Sequence, residues 1–249
     1  MMKNLIVIIL NLFDSFHKYK IIKFLKKIVS NDLDLVFDIG AHKGESINLF
    51  LSNFKVNKII SFEASPINFD ILKKKENELK KKFPKSNIII ENKALGSFTE
   101  KKIFKQFQES SSSTLSQINQ NSKYFKKKFS FINFFKKKDN FYKDIELNIS
   151  TLDDYIKYKN IDIVDLVKID TEGSEFEIIK GAKENIKNFK LILFEHHYDD
   201  MIVKNYSFSD INNLLIQNNF FKIFKAKMPF RKTFEYIYMN KIFDDNFKF

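Results

Sequence analysis

The chain has 249 residues, which is enough for one large α/β domain with a full hydrophobic core and short for two. Its hydrophobic fraction of 44% and charged fraction of 30% are those of a globular protein, so disorder as the main state is excluded. The sequence contains no cysteine, which excludes disulfides, thiolate metal sites and cysteine nucleophiles.

The net charge of +12 is carried almost entirely by lysine, with Arg231 as the only arginine. This bias argues against nucleic acid as a partner, because phosphate and guanine recognition favour the arginine fork. Two explanations of the charge stay open: compositional drift of a whole genome, and selection toward an acidic or membrane-surface partner. We expect a cytoplasmic protein, with peripheral contact to a membrane as the open alternative.

Residues 1–30 form a predicted N-terminal helical extension, and residues 31–249 form the predicted main domain. The apolar run Leu5–Leu10 is too short to cross a membrane, and no small-residue cleavage site of a signal peptide follows it. The pattern favours an amphipathic helix that runs toward Ile28. It predicts a helix packed on the domain or lying on a membrane surface or partner.

The first predicted strand, Leu35–Ile39, ends in the pattern Asp38-x-Gly40-x-x-x-Gly44 before a helix. Glycine at both positions lets the backbone turn tightly and approach a ligand that side chains would block. A dinucleotide fingerprint has a third glycine and points its helix at a pyrophosphate. The missing glycine and the preceding acid instead suit a ligand with a cationic amino acid moiety and no phosphate.

The second predicted strand, Lys58–Phe62, is followed by Glu63, whose carboxylate can accept both hydroxyl hydrogens of a ribose. A third strand is predicted at Asn87–Ile90. These runs are short and do not alternate, as is typical of strands buried on both faces. Helix-like segments separate them, so the sequence predicts a doubly wound α/β domain with a mostly parallel sheet.

The segment Lys123–Lys143 interleaves eight lysines with eight aromatic residues and a single acid, Asp139. It resembles neither a buried strand nor a clean helix. We predict an insertion at about 120–145 between the third and fourth strands. Two interpretations stay open: a solvated basic loop, and a substrate-facing lid for an anionic or sugar acceptor.

The fourth predicted strand, Leu166–Ile169, is followed by three acids, Asp170, Glu172 and Glu175. After the crossover this strand should lie beside the first, so Asp170 should face the same crevice as Gly40. Three carboxylates in six residues exceed what a turn requires.

The fifth predicted strand, Leu191–Phe194, is followed by Glu195, His196 and His197. Either histidine could act as a general base near neutral pH. The same side chains could bind a divalent metal, but a metal site is not our expectation.

The last segment predicts a capping box, Ser207 with Asp210, before a helix over Ile211–Gln217. Two strands, Phe221–Ala226 and Thr233–Asn240, then form a predicted antiparallel pair.

Seven segments together resemble the FkbM family of methyltransferases, and they follow the family's order between Leu35 and His197. They are VFDIGAHKGES, ISFEASPINFDIL, ENKALGS, SSSSTLS, STLDDYI, LVKIDTEGSEFEIIKGA and LILFEHH. The resemblance implies a Rossmann-like methyltransferase fold, with a mostly parallel seven-stranded sheet and an antiparallel last strand. It also implies methyl transfer from the cofactor S-adenosylmethionine to a hydroxyl oxygen.

The resemblance also implies site residues. The expected cofactor-binding residues are Asp38, Gly40, Ala41, His42, Gly44 and Glu63, with Asn92 and Ala94 near the adenine. The expected catalytic residues are Asp170, Glu172 and His196, with Asp170 or His196 as the base. His42 replaces an asparagine that is common in the family.

The expected acceptor is a hydroxyl of a small molecule or glycan, either a sugar or a polyketide-like compound. Two other classes of function stay open. One is a nicotinamide-dependent oxidoreductase, which the missing third glycine disfavours. The other is a basic module that binds nucleic acid or a membrane surface through the N-terminal helix and the Lys123–Lys143 segment.

Overall fold

In the computed structural model, which describes residues 2–29, 32–107, 113–126 and 141–246, strands and helices alternate along the chain. The first elements are α1 (Met2–Ile28), β1 (Asp32–Ile39), α2 (Glu45–Asn53), β2 (Lys55–Phe62), α3 (Pro66–Lys82) and β3 (Asn87–Glu91). The middle elements are β4 (Ala94–Leu95), β5 (Glu100–Phe107), β6 (Gln117–Ile118), β7 (Tyr142–Ser150), α4 (Leu152–Lys159) and β8 (Val164–Ile169). The last are α5 (Glu175–Lys180), β9 (Phe189–His197), β10 (Ile202–Val203), α6 (Phe208–Gln217), β11 (Phe220–Lys227) and β12 (Thr233–Asn240).

The main sheet has seven strands in the order β11-β12-β9-β8-β1-β2-β3. β12 runs antiparallel to both of its neighbours, and the other neighbouring pairs are parallel. The predicted sheet, mostly parallel with an antiparallel last strand, is therefore confirmed. Each of the seven strands predicted from the sequence is present in it.

The strand order reverses at β1, which lies between β2 and β8. The chain builds β2 and β3 on one side of β1 and later returns to build β8 and β9 on the other. In open α/β sheets, ligands bind outside the carboxyl ends of the strands at this point of reversal.

Hydrophobic clusters cover both faces of the sheet. On β1, Phe37 belongs to the cluster shared with α4, α5 and α6, whereas Val36 belongs to the cluster shared with α1, α2 and α3. Both residues are 0% exposed. Because neighbouring residues of a strand face opposite sides, a strand buried on both sides needs the continuous apolar run that the sequence shows.

Two smaller sheets were not predicted. β4, β7 and β5 form a three-stranded sheet, and β6 pairs with β10. The three-stranded sheet approaches the main domain at two glycines, since a Cβ on Gly181 would lie 2.0 Å from the carbonyl oxygen of Gly96. The predicted insertion at Lys123–Lys143 lies in this region, and its residues 127–140 fall outside the described part of the chain.

The second half of α1 packs on the domain, where Ile21, Ile22, Leu25 and Ile28 are buried against α2 and the main sheet. The sequence left open whether this helix packs on the domain or lies on a membrane surface or partner. Its second half packs on the domain. Among the described residues, no helix combines the length and apolar character needed to span a bilayer.

The capping box at Ser207 and Asp210 is present as predicted. The hydroxyl of Ser207 accepts a hydrogen bond from the Asp210 amide at 3.4 Å, and the Asp210 carboxylate accepts one from the Ser207 amide at 2.7 Å. The helix begins at Phe208, three residues before the predicted start at Ile211, because the first turn follows directly on its N-cap.

Candidate active site

One cavity of about 550 Å³ opens at the carboxyl edge of the main sheet. Its lining includes two groups of residues from different parts of the chain. The first part, named here the strand-end rim, consists of residues that follow β1, β2 and β8: Gly40, Ala41, His42, Glu63, Asp170 and Glu172. The second part, named here the outer wall, consists of residues from α1 and from the β11–β12 hairpin: Asp14, His17, Lys18, Met228, Arg231 and Glu235.

The turn after β1 brings backbone against backbone. The amides of Gly40 and Ala41 donate to the carbonyl of Phe62 at 2.9 and 3.0 Å, and the Asp170 amide donates to the carbonyl of Ile39 at 2.9 Å. Gly40 has φ +83°, and a Cβ there would lie 1.9 Å from the Asp170 carbonyl oxygen. Only glycine therefore fits where β1 and β8 end side by side.

Asp38 lies below the cavity and does not line it. Its carboxylate is 0% exposed, lies 3.1 Å from the Lys168 ammonium and accepts from the Ser46 hydroxyl at 2.8 Å. Burial lowers the pKa of Lys168, but the charges of Asp38 and Asp170 outweigh it and hold that pKa above its usual range. Because Lys168 also donates to the Gly40 carbonyl at 3.2 Å, this buried pair fixes the turn, while Lys168 itself lines the cavity beside Asp170.

Glu63 presents a buried carboxylate whose two oxygens are held by backbone amides. One oxygen accepts from the Ser65 amide at 2.8 Å and the other from the His42 amide at 2.7 Å. The side chain is 6% exposed, and burial raises its pKa in spite of these hydrogen bonds. Each oxygen keeps a second lone pair, so the carboxylate can still accept two hydroxyl donors from the cavity.

Three predicted cofactor residues lie beside the cavity lining instead of in it. Gly44 is the left-handed N-cap of α2, with φ +88°. Asn92 donates through its side chain to the Glu63 carbonyl at 2.8 Å, which supports the rim from behind. Ala94 is buried in β4, while its neighbours Lys93 and Leu95 line the cavity.

The turn after β8 carries acids with different surroundings. The side chain of Asp170 is 39% exposed at the cavity, whereas Glu175 is 1% exposed. Glu175 accepts from the Gly173 amide at 3.0 Å and from the Tyr206 hydroxyl at 2.7 Å, so it holds the turn together. Asp170 is therefore the acid of this turn that is most open to a ligand.

The loop that follows β5 of the three-stranded sheet packs against the turn after β8. The Thr114 hydroxyl donates to the Glu172 carbonyl at 2.6 Å, and the Ser116 hydroxyl donates to the Gly173 carbonyl at 3.1 Å. Ser113, in the same loop, lines the cavity. The serine-rich segment singled out in the sequence thus lies against the acidic turn, and its residues 108–112 fall outside the described chain.

The two histidines at the end of β9 face opposite sides of the sheet, as alternation along a strand requires. His196 lies among aromatic rings, with centroid distances of 4.7 Å to Tyr198 and 5.8 Å to Phe208, and it does not line the cavity. Burial, followed by the charges of Lys204 and His197, lowers the pKa of His196 to about 3. The expectation that His196 is the base does not fit this position, and we assign it no catalytic role.

His197 lies on the side of the acids. Its Nε2 is 2.9 Å from Glu195 and 3.2 Å from Glu172. Burial lowers the pKa of His197, but the charge of Glu172 and the hydrogen bonds of Asp199 and Glu195 outweigh it, so the imidazole is held in its charged form. His197 therefore offsets the charge of Glu172, which borders the cavity. Among the described residues, no group of three or more His, Asp or Glu side chains is arranged to hold a metal ion.

Sequence reasoning missed Lys168 and the outer wall. The lysine inside the buried strand Val164–Ile169 could have been noticed in the sequence. A buried charged side chain requires a partner of opposite charge, so this lysine indicates a nearby carboxylate. The wall gave no comparable signal. His17 and Glu235 are 218 residues apart in sequence, yet His17 Nε2 lies 2.5 Å from the Glu235 carboxylate.

The sheet order, with a glycine turn at its point of reversal, defines the Rossmann-like methyltransferase fold. Within that class, the model of the methyltransferase FkbM domain matches residues 38–222. The chain therefore belongs to the FkbM family of methyltransferases.

Several solved structures are similar to this chain. The methyltransferase FkbM from Methylobacillus flagellatus KT matches with 16% identity and a TM-score of 0.50, covering 84% of this chain and 44% of that one. The chain thus spans less than half of that relative's length. M. capricolum TrmK in complex with S-adenosyl-homocysteine matches with 12% identity and a TM-score of 0.48, covering 88% and 67%. A SAM-dependent methyltransferase from Aquifex aeolicus matches with 10% identity and a TM-score of 0.47, covering 89% and 88%. A comparison with curated proteins gave no match.

Proposed function

We propose that this protein transfers a methyl group from S-adenosylmethionine to a hydroxyl oxygen of a small molecule or glycan. The observation that carries the proposal is the convergence of Gly40, Glu63 and Asp170 on one cavity. Its volume of about 550 Å³ lies within the range of ligand pockets, about 300–1,000 Å³.

The residues of the strand-end rim suit the parts of this cofactor. Glu63 has free lone pairs for the two ribose hydroxyls, and the side-chain-free turn at Gly40 leaves room for the methionine part. Leu95, Phe104 and Ile178 add apolar lining suited to the adenine ring. When bound, the cofactor supplies a methyl group on a sulfonium, which is already activated for displacement.

The remaining task of the protein is to align the acceptor and remove its proton. We propose that the Asp170 carboxylate is the base that accepts this proton, because Asp170 borders the cavity and its side chain is 39% exposed. With the cofactor bound to supply the methyl group, the Asp170 carboxylate would accept the hydroxyl proton of the acceptor. Lys168, 3.5 Å from Asp170, stabilises the charged carboxylate before the transfer.

The outer wall suits the acceptor. His17, Arg231 and Glu235 border the cavity with donors and acceptors of both charges, which suits a molecule with several hydroxyl groups. These residues lie outside the 38–222 segment that the family model matches, so the wall is the part of the cavity most free to differ between relatives.

The first test separates the cofactors. Calorimetric titration with S-adenosylhomocysteine and with NADH should give binding of the first alone. Labelled methyl transfer from S-adenosylmethionine into cell extract, followed by mass spectrometry, should then reveal the labelled hydroxyl compound. Binding of NADH alone, or label found only on nitrogen or carbon, would overturn the proposal.

The second test concerns the base. Asp170→Asn should lower methyl transfer about a hundredfold while leaving S-adenosylhomocysteine affinity nearly unchanged. His196→Ala is the matched control, since His196 sits near the same edge but outside the cavity. Equal losses in both variants would remove Asp170 from the mechanism.

A further inference from the structure

Four large aromatic side chains are exposed together on α1 and on the turn that joins β11 to β12. Phe13, Phe16 and Tyr19 on α1 are 39%, 55% and 57% exposed, and Phe230 in the turn is 74% exposed. The rings of Phe13 and Phe230 meet edge to face at 4.9 Å, which joins the helix and the turn into one surface. A folded protein gains nothing by keeping such rings in water, so a clustered set of them indicates a binding surface.

The charge around these rings is strongly positive. Five lysines follow Phe13 on α1, namely Lys18, Lys20, Lys23, Lys26 and Lys27. The single acid between Phe13 and the end of the helix, Asp14, already lies 3.1 Å from Arg231. Two such surfaces would repel each other, so a second copy of the chain is a poor partner and an anionic one is favoured.

We infer that this aromatic and basic surface docks on an anionic lipid bilayer. Phe16 and Tyr19, three residues apart, lie on one side of the helix, and Lys20 and Lys23 lie on the same side. Such a helix lies in the plane of the bilayer interface, with its rings at the headgroup boundary and its lysines at the anionic headgroups.

The placement of the lysines favours a bilayer over nucleic acid. The Lys20 ammonium lies over the Phe16 ring at 4.7 Å from its centroid, and the Lys23 ammonium lies over the Tyr19 ring at 5.9 Å. Aromatic side chains bind single-stranded nucleic acid by stacking on its bases. An ammonium above a ring competes with a base for that face of the ring. The edges of the rings stay free to enter a headgroup layer.

The same helix connects this surface to the cavity. Asp14, His17, Lys18 and Ile21 line the cavity from α1, while Phe16 and Tyr19 do not. Docking therefore holds the cavity close to the bilayer surface. If the proposed function holds, an acceptor carried on a lipid would be presented directly to the outer wall. The docking itself does not depend on that function.

Co-sedimentation with vesicles tests the inference with the full chain. Vesicles of phosphatidylcholine with phosphatidylglycerol should bind the protein, and vesicles of phosphatidylcholine alone should bind it at least tenfold more weakly. Added salt should weaken the binding to the anionic vesicles, because it screens the lysines. Equal binding to both kinds of vesicle, or binding to neither, would overturn the inference.

Two sets of variants locate the surface. Phe16→Ser with Tyr19→Ser and Phe230→Ser should weaken anionic-vesicle binding about tenfold or more, and Lys20→Glu with Lys23→Glu should weaken it about thirtyfold. The aromatic control is Phe98→Ser with Tyr158→Ser, since these rings are 66% and 78% exposed elsewhere. The charge control is Lys74→Glu with Lys81→Glu, on exposed positions of α3.

Vesicle binding that falls equally in the test and control variants would overturn the proposed location. Binding of the wild-type chain to single-stranded RNA in place of vesicles, lost in the lysine variant, would overturn the choice of partner. S-Adenosylhomocysteine titration of the same variants should be unchanged, so a failure of docking is distinguished from a failure of the proposed function.

Discussion

The strand-end rim and the outer wall border the same cavity but are held in place by different forces. The rim is fixed by backbone hydrogen bonds between neighbouring strand ends, such as Gly40 to Phe62 at 2.9 Å. The wall is fixed by side-chain contacts across elements that are far apart in sequence: the hydrogen bond of His17 with Glu235 and the ion pair of Asp14 with Arg231. A rim made of backbone tolerates little change, whereas contacts between side chains can be replaced.

The rim and the wall also differ in their position relative to the segment that the family model matches. Residues of the rim lie within the matched segment 38–222, and those of the wall lie outside it. We therefore expect damage to the rim to remove folding or cofactor binding, and damage to the wall to change acceptor use alone.

Gly40→Ala should have the largest effect. The added Cβ would meet the Asp170 carbonyl at 1.9 Å, and the residue would keep a strained φ of +83°. We expect a loss of about 3 kcal/mol in the free energy of unfolding, or no stable fold, measured by chemical denaturation. Gly44→Ala is the control, because it keeps a similar φ of +88° while its Cβ would meet the end of the Leu72 side chain at 2.9 Å instead of backbone. Equal losses would show that the rim is no more rigid than its surroundings.

Glu63→Gln should weaken S-adenosylhomocysteine binding about thirtyfold and lower the free energy of unfolding by about 1 to 3 kcal/mol. The amide group loses the negative charge and directs an NH₂ at either the His42 or the Ser65 amide, so one hydrogen bond is lost. Titration calorimetry measures the affinity. Glu91→Gln is the matched control, since Glu91 ends the neighbouring strand β3 and accepts from Tyr155 at 2.9 Å outside the cavity lining. An unchanged affinity for Glu63→Gln would contradict the ribose assignment.

Glu235→Gln should lower labelled methyl transfer about tenfold and leave S-adenosylhomocysteine affinity within about threefold. The substitution keeps the shape of the side chain but replaces the carboxylate that lies 2.5 Å from His17 Nε2 with a neutral amide. Methyl transfer into one batch of cell extract and the calorimetric affinity are both measured on the same protein preparation. Glu100→Gln, at an exposed position of β5, is the control. A loss of cofactor affinity would break the division between rim and wall.

Glu195→Gln should flatten the dependence of stability on pH. Burial and the Asp170 charge raise the pKa of Glu195 from 4.5 to about 8, so the folded state keeps a proton that the unfolded chain loses. The wild-type protein should therefore lose stability as the pH rises from about 5 to 8. We expect the variant to reduce that loss by about 1 kcal/mol, measured by denaturation at several pH values. An identical slope in the variant would contradict the assignment, and the exposed Glu146→Gln serves as control.

The main sheet was predictable because its strands are buried on both faces. The runs Leu35–Ile39 and Leu166–Ile169 are apolar at every position except Asp38 and Lys168. These two charged residues pair with each other. The strands β5 and β7 were missed because one face of each is exposed. In β7, Ile145, Leu147 and Ile149 alternate with polar residues, so a period-two pattern was present between a basic segment and a helix.

The rim was predictable to the extent that strand ends meet at one edge of a parallel sheet. The choice between His196 and His197 was not, because a difference of one residue moves a side chain to the other face of β9. The wall was beyond the sequence alone, since its hydrogen bonds join residues more than 200 positions apart.

The contact between Gly96 and Gly181 has a mechanical consequence. With no room for even a methyl group between them, the small sheet that carries Ser113 cannot slide past α5. The loop after β5 also grips the turn that carries Glu172 through Thr114. A ligand that pushes on this loop would therefore also move the turn that carries Asp170 and Glu172. Under the proposed function, the fit of the acceptor and the position of Asp170 would then change together.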